Sequence, residues 1–288
     1  MSKSPTTLAT GPLERAAAAF REVGIADPSR EVREIFASIL AVEPVEAWRH
    51  RERIEHPRIA EAFEEAVERR RSGEPLAYVI GRCGFRFLDV AVGRGTLIPR
   101  PETEGLVGAV LRWAGQRAEG WGTALELGTG SGCVAISLAS EGRFDSVVAT
   151  DISDAALKVA RGNAARAGAA VEFRLGSWFE PVRKNRFSVV VSNPPYISTA
   201  DYDRLDRSVR EFEPRLALES GEGGMDAMTH ILFATAAYLE SNGMLALEID
   251  SQHEHETLQL AAAAGWVGAV IERDVFDRPR YLLAIKES

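Results

Sequence analysis

The sequence predicts an α/β fold in which a mostly parallel sheet flanked by helices follows a small helical bundle. Three observations predict it. The first seventy or so residues repeat their apolar side chains only at helical spacing. From residue 123 onward, four short apolar runs (123–127, 146–150, 187–192 and 244–249) alternate with helical stretches, a pattern that places helices on both faces of a parallel sheet. The first of these runs ends in a glycine-rich turn that leads into a helix.

The N-terminal elements are justified one by one. Leu13, Ala16, Ala17, Phe20 and Val23 share a helical face, and Gly24 is placed to end that helix. Asp27-Pro28 supplies an N-cap and a proline for the first helical position, with Val32, Ile35, Phe36, Ile39 and Leu40 as the buried stripe. A third helix runs from Pro57 to Arg71 and buries Ile59, Ala60, Phe63 and Val67. Residues 1–75 are therefore expected to form a bundle. In 76–102, Phe85, Phe87, Val90 and Val92 with the turn signal Gly93-Arg94-Gly95 predict a β-hairpin linker, closed by a proline-stiffened segment at Ile98-Pro99-Arg100-Pro101. Residues 103–288 then form the α/β domain.

Composition bounds the function. The chain has 288 residues with 34 basic and 42 acidic side chains, a net charge of −8, and 45% hydrophobic residues. Disorder is excluded, and one large domain with a smaller companion is expected. The acidic balance argues against broad electrostatic binding to nucleic acid. Only four of the 34 basic residues are lysines, so the run Arg69-Arg70-Arg71 reflects an arginine-rich composition and is expected to be a solvated helix face. Cys83 and Cys133 cannot build a disulfide framework and suit a reducing compartment. Residues 1–10 lack the apolar core of a secretory signal. The apolar-rich stretch 258–271 is interrupted by Gly265 and Gly268 and is too short to span a bilayer. A cytoplasmic protein with no membrane partner is expected.

The chemistry is concentrated at two turns. Gly128-Thr129-Gly130-Ser131-Gly132 lets the backbone turn sharply and approach a ligand closely. Asp151, at the end of the next apolar run, is placed to accept hydrogen bonds from both hydroxyls of a ribose, or else to cap the helix starting near Ser153. No Gly-Lys-Ser/Thr follows the turn, which therefore suits an adenosyl ligand without a pyrophosphate, namely S-adenosylmethionine. The second turn is Asn193-Pro194-Pro195-Tyr196, directly after the run 187–192. Consecutive prolines fix φ and carry no N–H, so the neighbouring carbonyls point in set directions. The Asn193 side-chain oxygen and the Pro194 carbonyl can accept both protons of a planar NH2 group, with Tyr196 as an aromatic wall. That geometry orients a nitrogen for methyl transfer. A proline-stiffened loop without chemistry is the alternative for this segment.

Beyond these local readings, the chain resembles the release-factor glutamine N5-methyltransferases, the HemK/PrmC family, over nearly its whole length. The resemblance rests on Gly73-Glu74-Pro75-Leu76-Ala77-Tyr78 with Gly81, the LIPRPETE run from Leu97 to Glu104, ELGTGSG, Asp151, SNPPYI from Ser192 to Ile197, Glu211 to Pro214 with Ala217-Leu218, and Asp277-Arg278-Pro279-Arg280. It implies a Rossmann-like class I methyltransferase domain with a seven-stranded sheet and S-adenosylmethionine as the donor. The donor would be held by Gly128, Thr129, Gly130, Ser131, Gly132, Asp151, Trp178 and Asn193, with no metal. The implied substrate is the glutamine of the Gly-Gly-Gln loop of a peptide chain release factor, gripped by Asn193, Pro194, Pro195 and Tyr196.

This sequence departs from the family pattern in three places. Ser177 precedes Trp178 where Asp or Asn is usual, Asp250 follows Leu247-Glu248-Ile249 where Gly is usual, and residues 30–36 are unusually charged. An extra carboxylate near the second turn would suit a cationic guanidinium, so free arginine is the alternative substrate. Asp250 serves equally as a cap for a helix beginning near Ser251. A nucleic-acid amino group is a third possibility, disfavoured by the acidic charge.

Overall fold

The computed structural model describes residues 11–118 and 120–287. The reading of residues 1–10 as lacking a secretory signal lies outside the described residues. Two compact units meet in sequence between Gly81 and Arg82.

The first unit contains α1 (Pro12–Glu22), α2 (Pro28–Leu40), the short α3 (Pro44–Ala47), α4 (Pro57–Arg71) and α5 (Leu76–Ile80). The Asp27 side chain accepts from the Arg30 amide at 3.1 Å and Pro28 opens the helix, as the sequence pattern requires. Phe20, Ile35, Phe36 and Phe63 form the buried centre, with the Phe36 and Phe63 rings edge to face at 5.9 Å. The arginine run is not simply a solvated face. Arg70 pairs with Glu31 of α2 at 2.6 Å, and Arg69 pairs with Glu74 while donating to the Tyr78 carbonyl. Guanidinium forks reach back across the bundle because the last turn of α4 faces two acidic partners.

The second unit opens with a hairpin, β1 (Arg82–Phe85) and β2 (Leu88–Ala91), paired antiparallel. Its turn is not at Gly93-Arg94-Gly95, which follow β2, but at Arg86, which takes φ 52. A non-glycine residue holds that left-handed conformation because its amide donates to Glu104 at 2.9 Å and its guanidinium grips Glu141. Residues 76–80 are the helix α5, whose Leu76, Val79 and Ile80 pack on the bundle core.

The sheet has seven strands in the order β5-β4-β3-β6-β7-β9-β8. They are β3 (Thr123–Leu127), β4 (Ser146–Asp151), β5 (Glu172–Leu175), β6 (Phe187–Ser192), β7 (Leu239–Glu248), β8 (Val270–Arg273) and β9 (Pro279–Ile285). Only β9 runs antiparallel to its neighbours. The helices of this unit are α6 (Pro101–Ala114), α7 (Cys133–Glu141), α8 (Asp154–Ala167), α9 (Thr199–Tyr202), α10 (Arg207–Phe212), α11 (Asp226–Thr235) and α12 (Glu254–Ala263). Every residue of β6 is buried, as expected for a central strand covered on both faces. After β3 the chain builds one side of the sheet through β4 and β5, then returns to β6 and builds the other. The crevice beyond the ends of β3 and β6 is thus the topological switch point, where open α/β sheets bind ligands.

Candidate active site

A cavity of about 510 Å³ lies at this switch point. Six of the residues singled out in the sequence line it: Gly128 and Gly130 after β3, Asp151 at the end of β4, Trp178 after β5, and Asn193 and Pro195 after β6. Thr129, Ser131, Gly132, Pro194 and Tyr196 are not among its lining residues. Thr129 and Ser131 are each 3% exposed, so their side chains serve the interior instead.

The glycine turn is braced from below and from the side. Glu126, fully buried in β3, accepts from the Thr129 hydroxyl and from the Ala135 amide at 3.0 Å. Burial pushes its carboxyl up to about 8, the Asp151 charge adds to the rise, and the two hydrogen bonds oppose it. At Gly132 (φ 84) an added Cβ would sit 3.0 Å from Ala160 Cβ and from Ile136 Cδ1, so this glycine is required for close helix packing. Asp151 accepts from the Gly130 amide with Oδ2 and from the Ser153 amide with Oδ1, both at 2.8 Å. The N-cap of α8 is Ser153, which accepts from the Ala156 amide, and not Asp151. Each Asp151 oxygen keeps a lone pair for a hydroxyl donor.

Trp178 has φ 45, a left-handed conformation held in place by the Thr150 hydroxyl, which donates to its carbonyl at 3.0 Å. Its ring lies against Gly128 and tilts toward His230 of α11, with centroids 6.3 Å apart. Ile152, next to Asp151, is 56% exposed and lines the same cavity. Ser177 lines it too.

The Asn193 turn is held by three anchors. Ser192 donates through its hydroxyl to the Leu127 carbonyl at 2.7 Å, joining the ends of β6 and β3. Ile197 exchanges backbone bonds with Leu218 and Ser220 at 2.9 Å each. Gly224 (φ 72) packs so tightly that a Cβ would fall 2.5 Å from the Tyr196 carbonyl oxygen. The Asn193 Nδ2 donates to Thr103 Oγ1 at 3.0 Å, and Thr103 donates to Glu248 Oε2 at 2.7 Å. Tyr196 donates to the other Glu248 oxygen at 3.5 Å, a long contact. Glu248 is 1% exposed, and burial pushes it up to about 7 against the hydrogen bond from Thr103 and the nearby Arg280 charge. The Tyr196 phenol is pushed up by burial and then by Glu248.

Sequence reasoning raised Asp250 as a carboxylate for a guanidinium. Asp250 is the N-cap of a short 3-10 turn, accepting from the Gln252 amide at 2.9 Å, and does not line the cavity. Glu248 does reach the Asn193 turn through Thr103 and Tyr196, but it is buried and does not line the cavity. Thr103, Glu126 and Ile152 were missed as functional candidates, although Thr103 and Glu126 lie inside LIPRPETE and ELGTGSG. Glu213 was missed as a brace: 5% exposed, it accepts from the Ile98 amide at 3.0 Å and from Arg100 at 2.5 Å. Among the described residues no group of His, Cys, Asp and Glu is arranged to hold a metal ion. No helix among them is long and apolar enough to cross a membrane.

A glycine turn braced by an acid, at the switch point of a seven-stranded sheet whose one antiparallel strand lies near its edge, defines a Rossmann-like methyltransferase. The fold agrees with a solved methyltransferase from Pyrococcus furiosus, at TM-score 0.52 and 20% identity over 71% of this chain and 92% of that one. The family models "PrmC N-terminal domain" and "Methyltransferase small domain" match residues 13–81 and 116–213. The chain is 38% identical to the release factor glutamine methyltransferase of Cereibacter sphaeroides, over 91% of this chain and 92% of that one. With the corresponding protein of Geobacter sulfurreducens it shares 35% identity over 88% of each. The chain belongs to the release factor glutamine methyltransferase family, and its methyl donor is S-adenosylmethionine.

Proposed function

We propose that this protein transfers a methyl group from S-adenosylmethionine to the side-chain amide nitrogen of a glutamine, that of the Gly-Gly-Gln loop of a peptide chain release factor. The observation that carries this reading is the orientation of Asn193. Its Nδ2 is committed to Thr103, and its Oδ1 has no hydrogen bond among the described residues, so it can accept from a substrate NH2. The Pro194 carbonyl is the second acceptor, and Tyr196 walls the acceptor side.

S-adenosylmethionine, when bound, supplies a methyl group on a sulfonium sulfur. Asp151 would take its ribose hydroxyls, Gly128 and Gly130 would let the ligand approach the backbone, and Trp178 with Ile152 would cover its base. An amide nitrogen is a poor nucleophile because its lone pair is delocalised. Two acceptors on its protons counter this by holding the nitrogen in line and favouring positive charge as the new N–C bond forms. The protein thus works by orientation and electrostatics. Asn193 is too weak a base to remove a proton outright, so the proton that the nitrogen loses once its bond to the methyl carbon has formed passes to solvent water.

A neutral amide fits the site better than a guanidinium, because neither Glu248, buried behind Thr103 and Tyr196, nor Asp250, a cap, lines the cavity. The matching relatives named for release factors support the same substrate. A cytoplasmic setting fits two cysteines that are both free thiols. The test is incubation with methyl-labelled S-adenosylmethionine and, separately, purified release factors and free arginine. Label is expected at the Gly-Gly-Gln glutamine, and label on arginine alone would overturn the reading.

A further inference from the structure

An asparagine carboxamide presents nearly the same shape when its oxygen and nitrogen are exchanged, yet only one of the two orientations suits an NH2 substrate. With Nδ2 toward the substrate, donor would face donor. Something in the protein has to select the productive orientation, and the surroundings of Asn193 show a candidate. Thr103 sits in the first turn of α6, 90 residues from Asn193 and 145 from Glu248, and its hydroxyl stands between them. The Thr103 hydroxyl donates to Glu248 Oε2, so its oxygen is left as an acceptor, which in turn selects the Nδ2 side of Asn193.

The first turn of α6 is itself fixed in place. Tyr281 of β9 donates its hydroxyl to the Glu102 carbonyl at 2.5 Å. Gly105 makes room for that phenol, since a Cβ there would fall 2.2 Å from the Tyr281 oxygen. Glu102 also pairs with Arg278 at 2.8 Å. Thr103 is 3% exposed and has little freedom to turn elsewhere.

We propose that Thr103 is a positioning residue for the methyl transfer: anchored by Glu248, its hydroxyl holds the Asn193 carboxamide with Oδ1 toward the substrate nitrogen. The proposal rests on the assignment of Asn193 as substrate acceptor, and the experiment keeps the two apart. Thr103→Val removes the hydroxyl with little change in shape. Thr103→Ser keeps the hydroxyl. Both are assayed with full-length release factor beside Asn193→Ala and the Thr103→Val/Asn193→Ala double variant, and donor affinity is measured by calorimetry.

Thr103→Val is expected to lower kcat about 10- to 100-fold, the scale of losing one orienting contact. Its donor affinity and its KM for release factor should stay within about twofold. Thr103→Ser should recover most of the turnover. In the Asn193→Ala background, where no carboxamide remains to orient, Thr103→Val should add no further loss. Wild-type kcat in Thr103→Val with a large loss in Asn193→Ala would overturn the positioning role and leave the Asn193 assignment standing. Equal losses from Thr103→Val in both backgrounds would show a merely structural residue. Wild-type turnover in Asn193→Ala would remove the acceptor assignment itself. Should Thr103→Val fail to fold, Thr103→Ala carries the same comparison without the steric demand of a second methyl.

Discussion

Asp151 accepts a hydrogen bond from the Gly130 amide at 2.8 Å, so the acid at the end of β4 holds the turn that follows β3. The acid and the glycine turn therefore form a single structure, in which the group expected to take the ribose also sets the shape of the loop beside it. Its second oxygen does the same for Ser153 at the start of α8.

Asp151→Ala is expected to weaken S-adenosylmethionine binding by roughly 1–3 kcal/mol, the range for stranding buried hydrogen-bonding groups. Calorimetry on the purified variant measures it. Unchanged affinity would confine Asp151 to bracing the backbone.

Asn193→Ala should reduce methylation of release factor about 100-fold or more, since the substrate loses an acceptor that orients it. The thermal midpoint should barely move. Parallel turnover and melting measurements separate this from misfolding.

The carboxyl of Glu126 is raised from 4.5 to about 8 in the fold, chiefly by burial. The native state consequently holds a proton that the unfolded state releases, and stability falls as pH rises between those two values. One such group contributes a slope of about 1.4 kcal/mol per pH unit. Glu248 adds its own fall up to about 7. Glu126→Gln should make the dependence between pH 7 and 8 shallower, leaving only the tail of the Glu248 titration there. Urea midpoints across that interval decide it, and a curve as steep as that of the unaltered protein would show Glu126 ionised in the fold.

Arg100→Ala should cost about 2 kcal/mol of stability, because it leaves the Glu213 carboxylate buried with only the Ile98 amide for a partner. The figure sits below that for a fully buried pair because Arg100 is 32% exposed. Denaturant unfolding measures the loss, and an unchanged midpoint would mean that Glu213 finds water instead.

Asp250→Gly should leave methylation of release factor largely intact and cost at most about 1 kcal/mol, the value of a cap. Turnover and melting of this variant together settle its role. A large loss of turnover at unchanged stability would place Asp250 at the substrate.

Legibility in the sequence followed the distance over which each feature is determined. The strands β3, β4 and β6 are buried apolar runs and could be read directly. The edge strands β5 and β8 carry Glu172, Arg174, Glu272 and Arg273 and have no buried face to betray them. The hairpin turn was misplaced because glycines at 93 and 95 gave a strong local signal. The true turn depends on Glu104 and Glu141, 18 and 55 residues from Arg86. The same contrast holds at the site. The glycine turn and the Asn193 turn are contiguous motifs, whereas the Thr103–Glu248 contact spans 145 residues and has no local signature.

The order β7-β9-β8 bears on how the molecule is made. In the sheet β8 pairs only with β9, so it cannot join until the last strand has been synthesised and has inserted beside β7. Translation delivers Gly128, Asp151 and Trp178 first, then Asn193, then Glu248, and last Tyr281, whose phenol fastens the start of α6. A nascent chain halted near residue 240 already carries the glycine turn and the asparagine, but has neither Glu248 nor Tyr281 to steady the Thr103 hydroxyl. The residues of the cavity wall nearest Asp151 are thus synthesised before those that align Asn193, and the acceptor side is the last to receive its parts.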